Sequence, residues 1–225
     1  MKLSVIIPCY NEEATIARAL DAVLAVDIPM EVIAVDDGSA DRTREIVEPY
    51  TARGVILLPL DDNHGKGRAI REALRLVTGD VVIIQDADLE YDPRQFPQMI
   101  APIVDGQAEV VYGSRFRGSI RGMRLPNLIA NRVLAFTANL LYSAGITDEA
   151  TCYKAFRTET IKSLDLRCEQ FEFCPEVTAR LRKRGTRIYE VPISYAGRTA
   201  AQGKKITWRD GVQAIWTLIK YRFRD

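Results

Sequence analysis

What most constrains this chain is an alternation. Over the first 115 residues short apolar runs recur, each followed by a stretch that spaces its apolar positions like a helix. "LSVIIP" (3–8), "EVIAVDD" (31–37), "GVILLPL" (54–60), "DVVIIQD" (80–86) and "AEVVYGSR" (108–115) read as strands. The stretches 11–26, about 41–53 and 65–79 read as helices. Asn11 is the expected N-cap of the first, with Glu12 and Glu13 in its first turn, where the helix dipole favours them. Parallel strands need long crossovers, usually helical, so the pattern predicts an α/β fold: a mainly parallel sheet flanked by helices. The fourth run is almost wholly apolar, as befits a strand covered on both faces.

Beyond residue 115 the pattern changes. The basic, glycine-containing segment "RFRGSIRGMRLPN" (115–127) reads as a flexible loop near the strand edge. A long amphipathic helix (126–144), the segment "TDEATCYKAFR" (147–157), a helix near 171–184 and a strand at 187–195 follow, then a basic tail. With 47% hydrophobic and 27% charged residues in 225, one large domain with a sizeable core is expected.

Several function classes are disfavoured at once. A net charge of +1 argues against bulk attraction to nucleic acid, so any basic function must be local. Four cysteines without a CxxC pair, beside a single histidine, argue against a sulfur–imidazole zinc site and fit a reducing cytosol. The first apolar run is too short for a signal peptide. The best candidate membrane span, 127–146, is broken by Asn131, Arg132, Thr137 and Asn139, so none is expected to cross.

Ligands of open α/β sheets bind beyond the carboxyl ends of the strands. Three expected strands end there in polar clusters: "PCYNEE", "DDGSADRT" and "QDADLEYD". In "DDGS", Gly38 permits a sharp turn, and Asp36 and Asp37 either accept hydrogen bonds from a ribose or base edge or simply form a turn capped by Ser39 or Asp41. In "DAD", Asp86 and Asp88 at i, i+2 project from one side of extended backbone. Two adjacent carboxylates repel unless a cation or proton intervenes, and hard divalent ions such as Mg²⁺ or Mn²⁺ take oxygen ligands shared with phosphates. Asp92 with Pro93 reads as the start of the next helix.

"NHGKGRA" (63–69) sets Lys66 between glycines at a helix start, which favours anions, although it lacks the spacing of a P-loop. His64 reads as a turn residue or hydrogen-bonding partner. Basic residues group at Arg115, Arg117, Arg121 and Arg124, and again at Arg198, Lys204, Lys205 and Arg209. Arginine suits bidentate phosphate recognition.

These motifs, in this order across nearly the whole chain, resemble family 2 glycosyltransferases of the GT-A fold, most strongly the polyprenyl (dolichyl) phosphate sugar synthases. The resemblance implies that Pro8, Tyr10, Glu12 and Asp37 hold the donor's base and ribose, with Lys66 and Ala87 also on the donor side. It implies that Asp86 and Asp88 form the metal-binding DxD, with Glu90 where mannosyl members carry a metal-reaching Gln. Asp148 falls in the segment near the acceptor, Arg115 joins it, and Arg198 and Lys204 match a basic pair near the donor and acceptor phosphates. It divides the chain into a nucleotide-sugar-binding half (about 1–115), an acceptor-facing half (about 116–205) and an amphipathic C-terminal segment (206–225). The implied reaction is inverting transfer of a hexose, from a GDP-mannose or UDP-glucose type of donor, to a polyprenyl phosphate.

A phosphate monoester acceptor is ionised near neutral pH and needs no general base; a hydroxyl acceptor of a glycan or lipid would make Asp148 the base. A non-catalytic nucleotide-sugar-binding or scaffold domain is the third reading. In 206–225, Trp208, Val212, Ile215, Trp216, Ile219 and Phe223 lie near helical spacing beside Arg209, Lys220, Arg222 and Arg224. Such a helix suits a bilayer interface or packs on its own domain. The expected place is the cytoplasm, or its membrane face as a peripheral protein.

Overall fold

β1 (Leu3–Cys9) lies at the centre of the architecture, parallel to β2 (Met30–Asp37) on one side and β4 (Val81–Ile84) on the other. The structure is a computed structural model and describes residues 1–198 and 208–224. Adding β3 (Val55–Leu60), β5 (Val110–Arg121), β6 (Lys154–Arg157) and β7 (Tyr189–Ala196) gives one seven-stranded sheet of order β3-β2-β1-β4-β6-β5-β7. Only β6 runs against its neighbours, β4 and β5. Strand order reverses at β1 and β4, the switch point at which the carboxyl ends of such sheets open a crevice.

The apolar runs explain why the sheet is covered twice. Alternate residues of a strand point to opposite faces. Val81 and Ile83 pack with Ile16 and Leu20 of α1 (Ile16–Leu24) and Phe96 and Met99 of α4 (Phe96–Val104). Val82 and Ile84 pack with Ile70 of α3 (Lys66–Leu74) and Val177 of α7 (Phe173–Lys183). Each such buried aliphatic side chain is worth about 1.5–3 kcal/mol, so the four in β4 pin the strand from which the acidic cluster emerges.

The sequence expectations need three corrections. The first helix starts at Ile16, not residue 11: Asn11 has φ +49°, and its N–H and that of Glu12 donate to Ser39 Oγ (3.0 Å) and Thr43 Oγ1 (2.8 Å). Residues 10–15 are thereby turned along the crevice. The second helix is α2 (Thr43–Val47), which tightens into a 3-10 turn (Glu48–Arg53) carrying Pro49 at its start. The basic segment after residue 115 is strand rather than loop, because β5 continues to Arg121 beside β7 with a register shift between Ser114 and Ser119. Gly118 allows the approach; a Cβ there would overlap Ile193 O.

At one side of the sheet, α5 (Leu125–Tyr142) and α8 (Trp208–Phe223) pack together, and the Tyr142 hydroxyl donates to Leu218 O at 2.6 Å. Short α6 (Thr158–Lys162) follows β6. α8 buries Leu218 and Tyr221 while Trp208, Val212, Trp216 and Phe223 stay exposed. α5 likewise buries Leu134 and Ala138 and exposes Leu125, Ile129, Phe136 and Leu140. Thus α8 packs on the domain and also carries an outward apolar face. No helix among the described residues is long and apolar enough to cross a membrane.

Candidate active site

The carboxyl ends of β1, β2 and β4 open into one cavity of about 760 Å³. Pro8, Tyr10, Glu12, Asp37, Lys66, Asp86, Ala87, Asp88, Glu90, Arg115 and Arg198 all line it. Asp148 does not reach it, and Lys204 lies outside the described residues. Its far wall is made by Asn127, Ala130 and Leu134 of α5 and by Trp208, Val212 and Ile215 of α8.

At the end of β2 the two aspartates part. Asp36 is fully buried and binds Arg44 Nε at 2.8 Å, a structural pairing. Asp37 borders the cavity and accepts from His64 N (3.2 Å) and Gly65 N (2.7 Å), which fixes the loop before α3. Burial raises the Asp37 carboxyl above its ordinary value against those two hydrogen bonds. Gly38 takes φ +68°, and a Cβ there would sit 2.7 Å from the Asp62 carbonyl carbon. His64 is exposed, and its backbone serves the turn.

The chain leaves β4 through a turn in which Leu89 has φ +62°, a left-handed conformation that bulky side chains avoid. Asp88 Oδ1 accepts from Glu90 N at 3.1 Å and holds the turn. The carboxylates then meet cations from distant parts of the sequence. Lys66 Nζ forms a close ion pair with Asp86 Oδ1. Arg198 reaches Asp88 Oδ2 at 2.9 Å through Nη2 and Glu12 Oε2 at 3.0 Å through Nη1. Burial, then the nearby charges of Asp86 and Glu90, push the Asp88 carboxyl up to about 7, with Arg198 opposing. For Lys66, burial favours the neutral amine, but the Asp86 charge outweighs it and holds the ammonium.

Glu90 lines the cavity and is held by the end of β7. Its Oε2 accepts from the Tyr195 hydroxyl (2.7 Å) and its Oε1 from Arg198 N (2.7 Å), so it braces the end of β7 and positions Arg198. Asp148 lies behind the cavity lining. It is fully buried, and its oxygens accept from Arg115 N (3.0 Å), Nε (2.7 Å) and Nη2 (2.7 Å). Glu190 Oε1 in turn accepts from the backbone N–H groups of Thr147 (2.8 Å) and Asp148 (3.1 Å). Asp148 therefore orients Arg115, whose guanidinium also lies over the Tyr195 ring at 5.1 Å. Glu190 and Tyr195 escape the sequence reading because a lone Glu or Tyr in an alternating strand carries no motif.

Asp86 and Asp88 suit a hard divalent ion in chemistry: both offer carboxylate oxygens, and positive charge would offset the burial and the neighbouring Asp86 and Glu90 charges that raise Asp88. Among the described residues no third His, Cys, Asp or Glu completes a metal-holding group with them, so other ligands would come from substrate phosphate and water.

Comparison with known proteins agrees with this architecture. The model for Glycosyl transferase family 2 matches residues 4–164. The low-salt glycan biosynthesis hexosyltransferase Agl6 of Haloferax volcanii is 31% identical over 199 residues, covering 86% of this chain and 47% of its own length. The undecaprenyl-phosphate 4-deoxy-4-formamido-L-arabinose transferase of Edwardsiella ictaluri is 29% identical over 213 residues, covering 90% and 62%. The chain thus spans about half of the first relative and under two thirds of the second.

Glucosyl-3-phosphoglycerate synthase from Mycobacterium tuberculosis in complex with UDP shares the fold, with TM-score 0.78 and 22% identity over 100% of this chain and 81% of that one. Its complex with Mn²⁺, UDP and phosphoglyceric acid gives 0.76 and 23%, over 100% and 79%. The expected GT-A fold is borne out. With a match running from β1 through the DxD turn to the end of β6 and beyond, the chain belongs to glycosyl transferase family 2.

Proposed function

We propose that this protein transfers a hexose from a nucleotide sugar to a polyprenyl phosphate at a membrane surface, with inversion at the anomeric carbon. The observation that carries the reading is the course of the cavity. It starts at Asp86 and Asp88 and ends between α5 and α8, whose outer faces expose Leu125, Ile129, Phe136, Leu140, Trp216 and Phe223. A phosphate head directed to the acidic turn with its lipid tail leaving between two apolar helices suits that shape. Trp and basic residues together on α8 suit a bilayer interface.

The residues divide the work. Pro8, Tyr10, Glu12 and Asp37 border the region for base and ribose. Asp86 and Asp88 would hold Mg²⁺ or Mn²⁺, which supplies Lewis-acid stabilisation of charge on the departing nucleoside diphosphate. Lys66 and Arg198 place two cations beside the same charge. Arg115, held rigid by Asp148, presents a guanidinium to the acceptor phosphate. That acceptor is already nucleophilic when ionised, which agrees with an Asp148 wholly committed to Arg115 rather than poised as a base. Support from relatives is of the same kind: the Edwardsiella protein is an undecaprenyl-phosphate 4-deoxy-4-formamido-L-arabinose transferase, and the mycobacterial synthase is seen in complex with Mn²⁺ and UDP.

The test incubates the protein with GDP- and UDP-sugars and Mg²⁺ or Mn²⁺, with and without polyprenyl phosphate, and follows nucleoside diphosphate release. Lipid-dependent release with one donor is expected. Release indifferent to the lipid phosphate, but accelerated by a glycan hydroxyl, would overturn the acceptor assignment.

A further inference from the structure

The segment that leads into β6 carries a buried polar network, and one atom of it is left over. Lys154 is fully buried; its Nζ donates to the carbonyl oxygens of Glu149 (2.8 Å) and Thr151 and lies 4.2 Å from the centre of the Tyr112 ring. The Thr178 hydroxyl of α7 donates to Glu149 Oε1 at 3.0 Å and pairs with the Tyr112 hydroxyl at 2.8 Å. The backbone and one carboxyl oxygen of Glu149 are thereby fixed. Its Oε2 is buried and has no hydrogen-bond partner among the described residues. Buried oxygens are almost always paired, so an orphan in a network whose other members are paired marks the place of a further partner. Of Tyr112, Lys154, Thr178 and Glu149, only Glu149 lines the cavity.

On the reading that the cavity takes a nucleotide sugar, we propose that Glu149 is a specificity-determining residue, whose Oε2 hydrogen-bonds a hydroxyl group of the hexose being transferred.

Sheet order gives the place. Asp37 ends β2, Pro8 lies in β1, Asp86 follows β4, and β6 is the next strand outward. β6 runs against β4, with Ala155 opposite Ile83, so the residues entering β6 lie at the same edge as those leaving β4. A donor with its base at β1 and β2 and its diphosphate at β4 therefore extends its sugar toward Glu149.

Chemistry narrows the partner. A lipid tail offers no hydrogen-bonding group, and base and ribose lie at the far end of that line. A hydroxyl both donates and accepts, so it suits the carboxyl whether ionised or neutral, whereas phosphate oxygens are repelled by the ionised form. Lys66 and Arg198, which suit phosphate, stand instead at Asp86 and Asp88.

The test measures dissociation constants by titration calorimetry, with Mg²⁺, for UDP, GDP and their glucose and mannose conjugates. Wild type is compared with Glu149→Met, which has a side chain of similar length and no carboxyl oxygens. The sugar nucleotide that wild type prefers is expected to bind the variant about tenfold more weakly, and its parent nucleoside diphosphate within about twofold of wild type. Monodeoxy forms of that donor locate the hydroxyl: one is expected to lose about tenfold on wild type and almost nothing on the variant. Should Glu149→Met fold poorly, Glu149→Gln keeps the shape and carries the same comparison; the penalty for that one hydroxyl is expected to change about threefold or more, since an amide and a carboxyl bond a hydroxyl with different strength. Unchanged sugar-nucleotide affinity, equal weakening of sugar nucleotide and nucleoside diphosphate, or deoxy penalties identical in wild type and variant would leave Oε2 to a bound water and overturn the proposal. Failure of wild type to bind any of these nucleotides would instead refute the nucleotide-sugar reading, and this contact with it. No acceptor enters the measurement, so the result is independent of the lipid assignment.

Discussion

Replacing Arg115 by Ala separates the two roles that sequence reasoning assigned to its neighbour Asp148. Asp148 is fully buried, the Arg115 side chain is 6% exposed, and three donors of Arg115 converge on the carboxylate. Removing one partner of such a pair strands a buried charge, which costs about 3–5 kcal/mol. Loss of the guanidinium from the Tyr195 ring adds about 0.5–1 kcal/mol. At roughly 2–4 °C per kcal/mol for a chain of this size, Tm is expected to fall by about 7–24 °C. Asp148→Asn removes the charge but keeps the shape and is expected to cost less, while Arg115→Ala combined with Asp148→Asn recovers part of the loss. Urea unfolding of the four proteins measures this as a double-mutant cycle. Additive losses, or Asp148→Asn as stable as wild type yet inactive, would refute the structural role and return Asp148 to catalysis.

Glu149 bears on pH. Burial pushes its carboxyl up to about 8 from 4.5, despite the nearby Lys154 ammonium. A raised folded-state value means that the contribution is fully present below 4.5 and is lost as pH rises through about 8. Urea midpoints at acid, neutral and alkaline pH should therefore fall more steeply for wild type than for Glu149→Gln; parallel curves would contradict this. Asp88→Ala is expected to lower divalent-dependent sugar transfer at least about a hundredfold, as loss of a preorganised charge contact does; unchanged activity would remove Asp88 from the metal set. Trp216→Ser with Phe223→Ser, both on the outer face of α8, is expected to reduce flotation with anionic liposomes about tenfold or more, since each side chain can bury about 1.5–3 kcal/mol of apolar surface. Equal flotation of the variant and wild type would move the membrane contact elsewhere.

Much of the fold is legible locally because strand and helix periodicity are local properties. Val81 to Ile84 announce a doubly covered strand, and Asp92–Pro93 announces a helix start that the structure keeps, with Asp92 Oδ1 accepting from Arg94 N at 3.0 Å. Where the reading fails, a distant partner intervenes. Residues 11–15 look helical but are drawn off by Ser39 and Thr43. The segment 115–121 looks like a loop but becomes strand once β7 supplies its ladder.

The site divides along the same line. The sequence by itself determined the inventory: acidic residues closing three strands, a lysine between glycines, arginines beyond the sheet, and the order of motifs that marks the family. Only the tertiary structure decided which of these face one another. Arg198 crosses 110 positions to Asp88 and 186 to Glu12, Glu90 turns to Tyr195, and Asp148 disappears beneath Arg115. A carboxylate looks the same in a sequence whether it awaits a metal, braces a strand or neutralises a buried arginine. Its role is set by burial and by the charge beside it, and both arise only when the sheet brings distant residues to one edge.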